Sequence, residues 1–271
     1  MTRHSPLLTV MIAAARKAAR TLQRDFGEVE NLQVSIKGPG DFVSAADLRA
    51  EAIIREELEK ARPGYGFLME ESGETAGSDK THRWIVDPLD GTTNFLHSIP
   101  MFAISIGLER TTATGPQMVA GVVYNPITDE MFVAEKGNGA FLNSRRLRVS
   151  ARRDLSQAVV VTGIPHMGRP GQEPFLRELA TVMDEVAGVR RSGSAALDMA
   201  YVAAGRYDAY WESGIKPWDI AAGVVLVREA GGFVSDMNGG EDFFKGSVIA
   251  TNDPLQKPMG ALLKKAHQPR A

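Results

Sequence analysis

Apolar positions recur at helical spacing near the start of the chain. Ser5-Pro6 reads as a cap and first turn, and Leu7, Met11, Ala15, Ala18 and Leu22 follow on one face. A second helix is predicted from about Asp47 to Lys60. The period then changes to that of strands. Phe67-Leu68-Met69 and Arg83 to Val86 are short apolar runs, and Phe102, Ile104, Ile106 and Leu108 alternate with smaller or polar neighbours. Met118 to Tyr124 and Glu130 to Ala134 continue the strand-rich middle, with Gly137-Asn138-Gly139 as a turn. Beyond a basic stretch at Arg145 to Arg153 the pattern alternates. A strand at Ala158 to Val161 precedes helices near Phe175 to Val186 and Ala195 to Ala204. A strongly helical stretch from Trp218 to Ala230 stops at Gly231-Gly232, and a strand at Ser247 to Ala250 leads into a last helix. A strand-rich first part followed by alternating elements predicts an α/β protein of stacked layers, with a cleft between them. The division falls near residue 145, giving parts 1–145 and 146–271 of one compact unit. No internal repeat or low-complexity linker interrupts it.

Composition narrows this picture. The 271 residues are 44% hydrophobic and 24% charged, enough for one large core or two modest ones. A formal net charge of −2 argues against bulk electrostatic binding of nucleic acid. The chain has no cysteine, hence no disulfide, and its start has no secretory pattern. No apolar run approaches the ~20 residues of a membrane span. Together these predict a soluble, cytoplasmic protein. With no cysteine and five scattered histidines, nothing reads as a zinc or soft-metal site.

The chemistry concentrates in acidic segments at element ends. Trp84-Ile85-Val86 is a buried-strand pattern followed by Asp87-Pro88-Leu89-Asp90-Gly91-Thr92-Thr93-Asn94-Phe95. Pro88 cannot continue a ladder, so a turn is expected there, with Asp87 at the strand's end. Asp90 is positioned to cap a helical turn that begins at Gly91-Thr92-Thr93. Carboxylates suited to a hard cation and amides suited to an anion would then share a pocket. The same letters also fit a plain Asp-Gly turn. Phe67-Leu68-Met69 likewise ends in acids, Glu70 and Glu71, and Asp219 stands at the start of the Trp218 helix. Asp41 and Asp47 lie in a glycine-rich turn that starts at Lys37 and feeds a helix. Each has a purely structural alternative: Ser44-Ala45-Ala46-Asp47 is a capping-box variant, Asp219 fits an N-cap, and Glu71 a solvated acid.

Taken together, these segments resemble the inositol monophosphatase family of metal-dependent phosphatases, from about Ser35 to about Thr251. Trp84 to Phe95 matches the family signature Trp-x-Val/Ile-Asp-Pro-x-Asp-Gly-Thr-x-Asn-Phe, and Trp218 to Gly223 with Glu229 to Gly232 matches the second. Glu70-Glu71 look like the family's glutamate pair; Lys37, Asp41 and Asp47 look like its lysine and metal-loop aspartates. Ser44 replaces a common threonine.

The resemblance implies a layered αβαβα sandwich of the inositol monophosphatase and fructose-1,6-bisphosphatase type, commonly dimeric. It implies one magnesium site on Glu70, Asp87 and the Leu89 carbonyl, and a second on Asp87, Asp90 and Asp219, with a third, weaker ion near the glutamate; manganese is also admitted. Converging carboxylates would repel unless cations neutralised them. Catalysis would fall to Glu70, Thr92 and Asp90, by attack of a metal-activated water on a phosphate monoester without a phosphoenzyme. Gly91 and Thr92 would hold the phosphate. Gly193, Ser194, Ala195, Glu212 and Asp219 would complete the substrate contacts, although Ser194 also fits a helix cap, and Arg190 or Arg191 fits a surface ion pair. His97 reads as a structural hydrogen bonder. Gly91-Thr92-Thr93-Asn94-Phe95 is the form of the inositol branch, which favours inositol 1-phosphate; fructose 1,6-bisphosphate and nucleotide phosphates are alternatives.

Other chemistries fit less well. The Asp-x-Asp-x-Thr spacing of phosphatases that form an aspartyl phosphate differs from Asp-x-x-Asp-Gly-Thr here, and no Walker-type loop occurs. A competing class is an interaction protein of the transcription machinery, contacting RNA or RNA polymerase through Arg145-Arg146-Leu147-Arg148 and Arg152-Arg153. Such a run is more often a solvated or dimer-contacting face.

Overall fold

The computed structural model describes residues 4–28, 34–38, 41–166 and 168–268. The side chains of Lys37 and Asp41 lie outside the described residues. The chain opens with helix α1 (Pro6–Phe26), whose N-cap Ser5 accepts the Leu8 N–H at 3.1 Å. Strands β1 (Val34–Gly38) and β2 (Asp41–Ser44) form an antiparallel pair where the sequence suggested only a turn. Helix α2 (Ala45–Ala61) follows behind the expected capping box: the Ser44 N–H donates to Asp47 Oδ2 at 2.8 Å, and the Ala46 N–H donates to Ser44 Oγ at 3.1 Å.

A mixed eight-stranded sheet comes next. It is built from β3 (Gly66–Met69), β4 (Gly73–Thr75), β5 (His82–Asp90), β6 (Ala103–Thr112), β7 (Gly115–Asn125), β8 (Glu130–Glu135), β9 (Gly139–Leu142) and β10 (Arg145–Arg146), in the order β10-β9-β8-β7-β6-β5-β3-β4. Helix α3 (Thr92–Leu96) lies between β5 and β6. A five-stranded sheet, ordered β12-β11-β13-β15-β14, comprises β11 (Val159–Thr162), β12 (Gly188–Arg190), β13 (Ala209–Ser213), β14 (Phe233–Ser235) and β15 (Ser247–Thr251). Helices α4 (Gln172–Met183), α5 (Ala195–Ala203), α6 (Pro217–Glu229) and α7 (Asp253–Ala266) complete the fold.

Strand periodicity sorts these elements into layers. On β6 and β7, Ile104, Ile106, Leu108, Ala120 and Val122 join Met11, Leu22, Ile54 and Leu58 of α1 and α2 in one core. Ala103 and Val123 face the other way and join Ala196, Met199, Ala222 and Val225 of α5 and α6, with Tyr210 and Val248 of the smaller sheet. The far face of that sheet, through Val160, Trp211 and Ile249, packs on Phe175, Val182, Leu255 and Met259 of α4 and α7. The order is therefore α1/α2, large sheet, α5/α6, small sheet, α4/α7, the five-layered sandwich expected from the resemblance. Close approach is needed in the middle: a Cβ on Gly121 of β7 would lie 2.5 Å from the Ala222 carbonyl oxygen of α6.

One expectation is corrected at β5. The chain does not turn at Pro88; the strand continues to Asp90 with a register shift, Asp87 opposing Ser105 and Asp90 opposing Ala103. Pro88 has no N–H to give the ladder, and the irregularity absorbs it. The ladder counts Asp87 to Asp90 as two steps, so both aspartates share the face that looks toward α5 and α6.

Candidate active site

Three elements converge below that bulge. Asp87 and Asp90 come from the end of β5, and Asp219 from the first turn of α6. Each offers a carboxylate oxygen, and these oxygens lie within 4.8 Å of one another. The Asp87 carboxylate accepts the Leu89 N–H at 2.8 Å, and Asp219 accepts the Lys216 N–H at 2.9 Å, so the turn and the helix start each orient one acid. Glu70, at the end of β3, lines the same cleft, and its charge acts on both Asp87 and Asp219. Glu71 is not among the residues lining the cleft; its N–H is fixed by Glu51 at 2.9 Å.

Asp90 is not the cap that its position suggested. The cap of α3 is Gly91, at φ 99°, with no side-chain hydrogen bond. Asp90 Oδ2 instead accepts from Ser194 Oγ at 2.6 Å and from the Ala196 N–H at 2.7 Å, at the N-terminus of α5. The acid therefore ties the two sheets' connecting segments together across the sequence. Ser194 fulfils the structural alternative raised for it: it is the N-cap of α5, accepting from the Leu197 N–H at 3.3 Å while donating to Asp90. Gly91 is sterically required as well as left-handed, since a Cβ there would sit 2.9 Å from the Met101 carbonyl oxygen.

Electrostatics follow from this crowding. Burial pushes Asp87 well above the usual carboxylate range, reinforced by the charges of Glu70, Asp90 and Asp219. Burial also raises Asp219 well above it, with Asp90 adding to the effect. Asp90 is held at about 6: burial raises it, while the Ser194 and Ala196 hydrogen bonds oppose the rise. No described lysine or arginine ion-pairs with these three acids. An all-oxygen set of neighbouring acids at this spacing fits a hard divalent cation and would otherwise hold protons.

Thr92, the first residue of α3, donates its hydroxyl to Asp47 Oδ1 at 3.0 Å and lies 3.1 Å from the Leu89 carbonyl oxygen. Asp47 therefore closes the capping box foreseen for it and, beyond that expectation, holds a side chain of the cleft. Gly193, Ala195 and Glu212 also line the cleft, whose volume is about 130 Å³. Glu212, on β13, accepts from the Tyr210 hydroxyl at 2.8 Å; burial raises it, and Tyr210, Arg169 and Arg191 counter the rise. His97 is the C-cap of α3, exposed and outside the lining residues.

Sequence reasoning missed Gly163, Ile164, His166, Arg169 and Asp198, which line the cleft as well. The first four follow β11, a Val-Val-Val-Thr strand parallel to both its neighbours. The carboxyl ends of parallel strands are where α/β sheets present ligand sites, and this was the available signal.

The profile of the inositol monophosphatase family matches residues 3–270. The chain belongs to the inositol monophosphatase family. It is 62% identical to the inositol-1-monophosphatase of Mesorhizobium japonicum over 266 residues, covering 98% of this chain and 97% of that protein. It is 43% identical over 260 residues to the protein named Nus factor SuhB of Salmonella typhimurium, covering 96% of each. Among solved structures, the extragenic suppressor protein SuhB of Bartonella henselae superimposes with a TM-score of 0.92 at 58% identity, covering 96% of this chain and 99% of that one. No helix among the described residues is long and apolar enough to cross a membrane.

Proposed function

We propose that this inositol monophosphatase family member hydrolyses a small phosphate monoester, inositol 1-phosphate above others, in a magnesium-dependent reaction. The observation that carries the reading is the trio of carboxylate oxygens within 4.8 Å at Asp87, Asp90 and Asp219. With Glu70 and the Leu89 carbonyl, they would hold two or three magnesium or manganese ions. Such ions, when bound, supply positive charge for the phosphate and make water at the site more acidic.

The chain's own groups account for the rest. Because the Thr92 hydroxyl donates to Asp47, its oxygen keeps a lone pair with which to accept from a water in the cleft. Thr92 and Glu70 thus orient the attacking water, and a proton taken by Thr92 has Asp47 to pass to. Gly91 and Thr92 present backbone amides toward the phosphate oxygens. Glu212, fixed by Tyr210, is placed to accept hydrogen bonds from polyol hydroxyls, with Gly193, Ser194, Ala195 and Asp219 shaping that wall. Parts 1–145 and 146–271 each contribute to the cleft, which supports treating them as one catalytic unit. Family membership supports a homodimer, and the cysteine-free composition supports a cytoplasmic setting.

A role beside the transcription machinery would borrow from the SuhB-named relatives. The arginine run gives it little support: Arg152 pairs with buried Asp208 at 3.1 Å, and Arg146 stacks on Phe141 at 5.8 Å. The test is phosphate release from inositol 1-phosphate, fructose 1,6-bisphosphate and 3′-phosphoadenosine 5′-phosphate, with magnesium and with chelator. Magnesium-dependent release is expected; folded protein that releases none from any of them contradicts the proposal.

A further inference from the structure

The two walls of the cleft come from distant parts of the chain, and a buried side chain outside the cleft spans them. Helix α3 is only five residues long, too short to hold its shape alone in water, so its placement depends on what grips it. Phe95 anchors it in the core beside Phe26 and Phe102. Asn94 ties it to two loops. Its Nδ2 donates to the Met101 carbonyl at 2.6 Å and to the Ser192 carbonyl, 98 residues away, at 2.8 Å, and the residue is 4% exposed. Both N–H groups of the amide are thereby committed.

The backbones joined in this way pass very close. A Cβ on Gly193 would come 2.9 Å from Asn94 Nδ2, and one on Gly91 would come 3.2 Å from the Gly193 carbonyl oxygen. Gly91, Thr92 and Thr93 belong to one wall of the cleft and Gly193, Ser194 and Ala195 to the other, whereas Asn94 itself does not line it. Asp90 also crosses this gap, to Ser194 and the Ala196 N–H, but as one of the acids read as cation ligands. Asn94 is a neutral crossing, whose donors do not depend on the protonation of those acids. Asp87 and Asp219 take their orientation from the Leu89 and Lys216 N–H groups instead, so the acids and the wall spacing have separate supports. We infer that Asn94 is a positioning residue for the ester: by holding the Ser192 segment against α3 it sets the width of the cleft, so that one phosphate monoester reaches both walls at once. This rests on the phosphatase reading above and adds to it a residue that touches neither substrate nor cation.

The test measures kcat and KM for inositol 1-phosphate with magnesium, and manganese affinity by calorimetry, in wild type, Asn94→Ala and Asn94→Asp. Alanine removes both donors; aspartate keeps the shape but turns an oxygen toward two carbonyl oxygens. Misplacing a substrate wall by about 1 Å is worth about 100-fold in kcat/KM, and a loss of this order is expected in both variants, chiefly through KM, with manganese affinity as in wild type. Folded variants with wild-type KM overturn the inference and leave the phosphatase reading standing. Manganese affinity that falls together with kcat/KM overturns it too, because Asn94 would then support the acids and not the wall. Failure of both variants to fold, read by circular dichroism, also overturns it, since the residue would serve the fold alone. Wild-type protein that turns over no ester with magnesium would instead overturn the phosphatase reading itself, and this inference with it.

Discussion

Replacing Asp90 with Asn separates what this residue does for folding from what it does for chemistry. In the absence of metal, Asp90 is an acid held at about 6, against an ordinary value of 3.8. A folded value above the unfolded one means that the ionised form destabilises the fold: the cost is complete above about pH 6 and disappears as pH falls toward 4. At about 1.4 kcal/mol per unit, the displacement corresponds to about 3 kcal/mol at pH 7.5. Asn keeps a carbonyl oxygen for the Ser194 hydroxyl and the Ala196 N–H, so those bonds at 2.6 and 2.7 Å can persist while the charge is gone. Chelated Asp90→Asn protein is therefore expected to melt above chelated wild type at pH 7.5, by roughly 5–10 °C for a chain of this size. Its advantage should shrink to about a third by pH 4.5. Turnover and stabilisation by added magnesium should both be lost. Thermal unfolding at both pH values, with chelator and with magnesium, is the assay. A variant less stable than wild type at pH 7.5 in chelator, or one that keeps magnesium-dependent activity, refutes the reasoning.

Substitutions at two further positions test other links. Thr92→Val removes the hydroxyl that joins the cleft to Asp47 and should lower kcat by about 100- to 1,000-fold, while Thr92→Ser stays within about tenfold of wild type, as measured by phosphate release. Gly121→Ala would press a methyl against the α6 backbone at Ala222, and overpacking of this kind costs about 1–3 kcal/mol, read as a fall in melting temperature; an unchanged melting point would contradict the layer contact.

The first helix was legible because Ser5-Pro6 and a long apolar stripe are local signals, and α2 and α6 for the same reason. Asp87, Asp90 and Asp219 could be named because the resemblance joined segments that no local rule connects. Their geometry was not legible. Pro88 announces an interruption but not its kind, and whether a strand turns or bulges depends on the neighbour, here β6, that continues the pairing. Asp90 looked like a cap for the helix beside it; its real partners, Ser194 and Ala196, lie more than a hundred residues on. Strand β13 (Ala209–Ser213) was missed because Ala-Tyr-Trp-Glu-Ser has two apolar-facing aromatics in succession and no alternation. It is buried on both faces, Tyr210 toward α5 and α6 and Trp211 toward α4 and α7, and a strand between two layers loses the period-two signal. Arg169 and His166 sit in a loop whose sequence carries no pattern; only the packing of sheet ends brings them to the cleft.

The central claim, that the buried aspartates form a cation site, is tested most directly by calorimetric titration of chelated protein with manganese at pH 6 in buffers of different ionisation enthalpy. Acids raised by burial and mutual repulsion must give up protons when a cation takes their place. Saturable binding with proton release, abolished by Asp87→Asn in protein that remains folded, is the predicted result. No binding, or binding that Asp87→Asn leaves intact, would contradict the account.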